Sequence, residues 1–134
     1  MTLQQVIQQS WFSVYSETYI YTRVKEVLHP EKHLLVMRDH IEVTVVTAEE
    51  NLPLLGAYEA NKDKWKLVNI RCGNPFYCVG FIASITNSLA QNGIDIVLAS
   101  SFSNDLVLVM ENDLERSIAV LLSIGFTQRT NDLF

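Results

Sequence analysis

The sequence predicts an α+β domain on the β-α-β-β-α-β plan, an antiparallel sheet that carries both helices on one face. Three observations predict it. Between residues 79 and 92 the apolar side chains Val79, Ile82, Ile85 and Leu89 recur at three- and four-residue spacing, the period of a helix with one buried face. The runs 65–71, 94–100 and 105–110 are dense in apolar and β-branched residues, as strands are. Asn112-Asp113-Leu114-Glu115 then opens a second helix. Its apolar positions Leu114, Ile118, Leu121 and Leu122 share one face.

Taken in order, the chain opens with a short helix over residues 2–10, with Leu3, Val6 and Ile7 on one side. After Trp11 that pattern stops. Residues 18–24, Thr-Tyr-Ile-Tyr-Thr-Arg-Val, read as a strand. Pro30 marks a connection. Two short strands follow, 33–38 and 41–46, joined at Asp39-His40 as a hairpin with one face buried and one partly wet. Thr47 is placed to cap a short helix over 48–55, with Glu50 as its capping-box partner and Pro53 limiting its length. Gly56 ends it. The polar run 59–64 is the natural boundary between halves.

The strand 65–71 leads into Gly73-Asn74-Pro75-Phe76-Tyr77-Cys78-Val79-Gly80, a strand exit and helix opening. Gly93 stands where a left-handed residue closes the helix. The apolar character of 94–100 and 105–110 on both faces predicts central strands. Gly125 ends the last helix, and 126–129 adds a short edge strand. The final residues are expected to fray.

The chain is long enough to bury a core without disulfide or metal, since about 68% of the unfolded surface is buried at this size. Its 49% hydrophobic and 19% charged residues are those of a soluble globular chain. A net charge of −5 opposes binding to phosphate backbones and anionic membranes. Neither nucleic acid nor membrane is therefore an expected partner. Cys72 and Cys78 are too far apart for a Cys-x-x-Cys pair and are expected as free thiols. His29 and His33 are separated by Pro30, so no metal site is expected. The first ten residues lack a basic segment and a long apolar run, and no stretch of about 20 apolar residues occurs. A cytoplasmic location is expected. No nucleophile-and-base pair and no phosphate-loop or dinucleotide string is present, so the chain is expected not to be an enzyme and to need no cofactor.

Three stretches resemble ACT domains, and in particular the small bacterial tandem-ACT proteins related to the CASTOR arginine sensors. They are Val79-Gly80-Phe81-Ile82-Ala83-Ser84-Ile85, Leu89-Ala90-Gln91-Asn92-Gly93-Ile94, and Ser100-Ser101-Phe102-Ser103-Asn104-Asp105 ahead of an apolar strand. Asp113-Leu114-Glu115-Arg116-Ser117 echoes the same family. The resemblance covers about 65–126 well and 2–60 more loosely. It implies a ferredoxin-like ACT fold in tandem: residues 1–60 form a degenerate N-terminal unit with its leading helix, and 65–134 a C-terminal ACT domain. It also implies a non-catalytic regulatory domain that binds a free amino acid or similar small metabolite at an interface between units or subunits, and a homodimer. The other reading is a ligand-free structural or protein-interaction module, such as a dimerisation unit.

The loops 73–80 and 100–105 would form one small-molecule pocket. A ligand carboxylate is suited to the helix N-terminus opened by Tyr77, Cys78, Val79 and Gly80, where backbone N–H groups and the helix dipole converge. Gly80 permits close backbone approach. An ammonium group is suited to Asp105 and to the backbone around Ser100 and Ser101. By the resemblance, Ser101, Phe102 and Asp105 touch ligand. Where relatives carry an acidic residue before the helix glycine this chain has Phe76-Tyr77-Cys78, which points away from arginine. Each residue also has a plainer use: Asp105 as a hydrogen bonder within its own loop, Gly80 in helix–sheet packing, and Phe102 as a core or interface aromatic.

Overall fold

The computed structural model describes residues 1–73 and 77–130. In chain order the elements are α1 (Leu3–Gln8), β1 (Trp11–Val14), β2 (Tyr19–Val24), a 3-10 turn (Pro30–Lys32), β3 (Leu35–Arg38) and β4 (Val43–Ala48). A 3-10 segment (Glu49–Leu55), β5 (Glu59–Ala60), β6 (Trp65–Arg71), α2 (Phe81–Gln91), β7 (Ile96–Ser100) and β8 (Asp105–Met110) follow. A 3-10 turn (Glu111–Asp113), α3 (Leu114–Ser123) and β9 (Thr127–Gln128) complete the chain. Compactness divides it into two units, residues 1–16 with 66–134, and residues 17–65.

The first unit has the α+β, ferredoxin-like plan, with strand order β7-β8-β6-β1-β9. Strands β7 and β8 pair antiparallel from Ile96 opposite Val109 to Ser100 opposite Asp105. Phe12, Val68, Ile70, Val107 and Val109 face one way, into a core closed by Phe81, Ile85 and Leu89 of α2 and by Val120 and Leu121 of α3. Val6 and Ile7 of α1 join the same core. That helix begins with a capping box: the Gln5 N–H donates to Thr2 Oγ1 (3.2 Å) and the Thr2 N–H to Gln5 Oε1 (2.8 Å), so two orphan donors are satisfied reciprocally.

Strand β1 is the element the sequence pattern does not announce. Its four residues pair antiparallel with β6, Trp11 opposite Arg71 through Val14 opposite Val68, and its other edge takes β9 in parallel. The strand expected at the chain's end is therefore an edge strand, held on β1 rather than on β6.

Both helices end as their glycines predict. The Gly93 N–H donates to Ala90 O (2.9 Å) and the Ile94 N–H to Leu89 O (3.1 Å), with Gly93 at φ +71°. This paired pattern satisfies two carbonyls that the helix leaves open. Gly125 repeats it with Leu122 and Leu121. The helix starts differ from expectation. Helix α2 begins at Phe81, and Val79 is 99% exposed, because the left-handed Gly80 (φ +90°) precedes the first helical residue. Phe81 takes the inward place and packs edge-to-face on Phe126 at 5.6 Å. On α3, Leu122 is 47% exposed, whereas Ser117 and Val120 are buried. The Ser117 hydroxyl donates to the Asp113 carbonyl (2.8 Å), which makes that burial tolerable. Asp113 caps nothing with its side chain; it pairs with Arg116 at 2.7 Å. Strand β8 is buried on both faces as expected, but β7 is an edge strand and half exposed.

In the second unit β2 lies between β4 and β5, and β3 pairs with β4. The hairpin expected at Asp39-His40 is present. The Asp39 carboxylate accepts from the backbone N–H groups of Ile41 (2.7 Å) and Glu42 (2.8 Å), which holds it below the usual carboxylate range. Ile41 is part of that turn and 87% exposed, so it belongs to no strand face. Strand β4 is not wet on one side, since Val45, Val46 and Thr47 are all buried. Thr47 does not cap. It lies within β4 with its hydroxyl 2.8 Å from His33 Nδ1, and the following 3-10 segment starts at Glu49 with no side-chain cap.

Candidate functional site

The exit of β6 is tied to the N-terminal helix. The Gly73 N–H donates to Ser10 Oγ (2.7 Å), and the Ser10 hydroxyl donates to the Val6 carbonyl (2.7 Å). A Cβ on Gly73 would stand 2.9 Å from the Gln9 Cβ and carbonyl oxygen, so this position needs glycine for clearance. Residues 74–76, which include Phe76 of the expected loop, lie outside the described residues.

The opening of α2 is a turn in which the Phe81 N–H donates to the Cys78 carbonyl (3.1 Å) and the Ser84 N–H to the Gly80 carbonyl (2.8 Å). Among the described residues the N-cap, Gly80, brings no side-chain cap to this helix, and its first turn holds no acidic residue. Its terminal N–H groups and the positive end of its dipole are thus not neutralised by the helix itself.

The connection between β7 and β8 is tight. The Ser101 N–H donates to the Asn104 carbonyl (2.8 Å) and the Asn104 N–H to Ser101 Oγ (3.2 Å). The Ser100 hydroxyl donates to Asp105 Oδ1 (2.7 Å). Asp105 is therefore partly engaged in its own hairpin. Asn104 adds a feature that residue type alone did not signal: its Oδ1 is buried and has no hydrogen-bond partner. An Asx residue in a serine-rich turn is the only sequence sign of it.

Burial, and then the nearby Cys78 thiol and Asp105 carboxylate, raise the Cys72 thiol above its ordinary value, with the Ser10 hydroxyl pulling the other way. Neither cysteine forms a disulfide. A Cβ on Gly80 would come within 3.3 Å of the Leu3 side chain of α1. By contrast Tyr77, Val79 and Phe102 are 85%, 99% and 98% exposed. They stand out into solvent. A concavity of about 640 Å3 lies in the second unit, where Val24 and Leu55 are floor and Arg23, Glu42 and Glu59 form a charged rim. Among the described residues no group of three or more His, Cys, Asp or Glu is arranged to hold a metal. No helix of those residues is long and apolar enough to cross a membrane.

Residues 61–123 match the ACT domain family. Among curated proteins no sequence matches significantly. A Vibrio cholerae protein of unknown function, described as a possible transport protein, has a similar structure: TM-score 0.79 at 17% identity, over 92% of this chain and 95% of that one. A protein from Agrobacterium tumefaciens gives 0.75 at 21%, over 92% and 94%. The ligand-free regulatory subunit of aspartate kinase from Thermus thermophilus gives 0.61 at 10%, over 84% and 95%. At these identities the likenesses are of fold alone.

Proposed function

We propose that this chain is a non-catalytic regulatory domain that binds an amino acid or a similar small metabolite where two copies meet. The observation that carries the reading is the N-terminus of α2, which Gly80 leaves without a side-chain cap; that the 100–105 hairpin lies beside it belongs to the proposal. The first offers N–H donors to a ligand carboxylate. The second offers carboxylate and amide oxygens to a ligand ammonium, from Asp105 and the unpartnered Asn104 Oδ1. The ACT match and the aspartate kinase regulatory neighbours support the same class of role. The ligand's identity is open, with arginine disfavoured by Tyr77 and Cys78.

A homodimer belongs to the proposal because the site is half a site. Tyr77, Val79 and Phe102 of its two loops are almost wholly exposed, as side chains that a second surface covers would be. A two-fold copy would bring the same patch against its equivalent and close a recess around the ligand. Regulation would follow by linkage, ligand favouring the paired state that a partner protein senses. The domain would act in the cytoplasm. The same exposed patch also favours the second reading, a dimerisation module without ligand.

Thermal unfolding of the full chain against each of the twenty amino acids tests this. Ligand at a hundred times its dissociation constant adds about 2.7 kcal/mol to stability. One amino acid should raise the midpoint, and Asp105→Ala should remove the rise without altering the unliganded midpoint. Native mass spectrometry should show a dimer that Phe102→Ser dissociates. Dimer without any ligand shift would leave the interaction module; monomer without shift would defeat both readings.

A further inference from the structure

Strands β1 and β6 alternate strictly. Phe12 and Val14 with Val68 and Ile70 turn to the helices, so Trp11 and Ser13 with Asn69 and Arg71 occupy the opposite face of the sheet. On that face Trp11 is directly opposite Arg71, and Ser13 directly opposite Asn69. Cβ atoms of such pairs stand about 5 Å apart and those of the next row about 7 Å. The four residues therefore form one cluster. Arg129, fixed by its backbone N–H to the Phe12 carbonyl (2.8 Å), lays its guanidinium over the Trp11 ring at 3.9 Å, and Arg71 reaches the same ring at 5.8 Å.

We propose that this corner, Trp11 between Arg71 and Arg129 with Ser13 and Asn69 behind it, is a binding site for an oxyanion, the carboxylate or phosphate group of a small metabolite.

Three features support it. Neither arginine has a carboxylate ion pair among the described residues, although the chain carries 15 acidic against 10 basic residues. A guanidinium stacked on an aromatic ring has its face occupied and its in-plane N–H edge free, the edge that grips an oxyanion. Finally, Trp11 Nε1, Ser13 Oγ and Asn69 Oδ1 are all buried without a hydrogen-bond partner. Unpaired buried polar atoms are rare, and three on two adjacent rows call for a common partner. The indole N–H and serine hydroxyl donate to an oxyanion; Asn69 Oδ1 accepts from a ligand hydroxyl or ammonium. The site lies on the opposite sheet face from the α2 opening and does not depend on the function proposed above.

The test is an NMR titration of the 15N-labelled full chain, following the two indole N–H resonances at constant ionic strength. Inorganic phosphate is one arm, acetate the second and sodium chloride the control. The Trp11 resonance should shift and saturate with phosphate or acetate, while Trp65 holds still. Saturation by phosphate alone assigns a phosphate-bearing ligand, and saturation by acetate alone a carboxylate. The Arg71→Gln, Arg129→Gln double variant should weaken the saturable response by at least about tenfold, the loss of one charge-assisted hydrogen bond, with the remaining spectrum retained as proof of folding. Asp105→Ala should leave the titration unchanged. A Trp11 resonance that stays fixed, follows chloride equally, or responds equally in the double variant overturns the proposal.

Discussion

Replacing Phe12 by alanine should cost this protein more than most single changes, because it tests whether β1 is a central strand. Phe12 is fully buried in the first unit's core, on the strand lying between β6 and β9. Removing its ring forfeits about 1.5–3 kcal/mol of transfer free energy. It also leaves a cavity whose walls are sheet backbone and two helices, which relax only partly, bringing the total to about 3–5 kcal/mol. For a domain of this size that lowers the thermal midpoint by about 10–20 °C. The companion change is Leu122→Ala. Helical spacing puts Leu122 on the apolar face of α3, but it is 47% exposed. About half the transfer term is lost there, and alanine's helix preference offsets part of it, so the expected cost is below about 1 kcal/mol. Urea unfolding followed by circular dichroism measures both, with an unchanged m-value showing that the two-state comparison holds. Equal costs for the two variants would refute the placement of β1 and the orientation of α3 together.

Two further outcomes follow from the same geometry. Gly73→Ala places a Cβ against the Gln9 backbone at 2.9 Å, so β6 or α1 must shift, at about 1–3 kcal/mol. Denaturant midpoints will show it, and a neutral result would mean that the α1 contact is not held in solution. Cys72 adds a pH dependence. Its thiol is raised in the fold by burial, with Cys78 and Asp105 contributing. The stability from this group is thus full below the unfolded value of about 8.5 and declines as pH rises toward the raised one. The wild-type stability curve should fall across that alkaline window more than that of Cys72→Ala, and parallel curves would deny the shift.

Local chemistry determined much of this molecule. Gly93 and Gly125 close their helices because no other residue type adopts their backbone conformation cheaply. Residues 65–71 and 105–110 are strands because their composition suits nothing else. The tight Ser100–Asp105 connection was likewise legible in its residues. Tertiary structure decided what depends on partners distant in the chain. Trp11–Val14 is too short to show a period and becomes a strand only by pairing with residues 68–71. Thr47 carries a capping residue's hydroxyl yet is drawn into β4, where His33 takes that hydroxyl. Val79 and Leu122 fit a helical stripe, but Gly80 starts the helix after one, and the rotation of α3 leaves the other half in solvent. The cluster of Trp11, Arg71 and Arg129 has no sequence spacing at all; it exists because strands from three parts of the chain lie side by side. Spacing records which residues can share a face, and only packing chooses which face is covered.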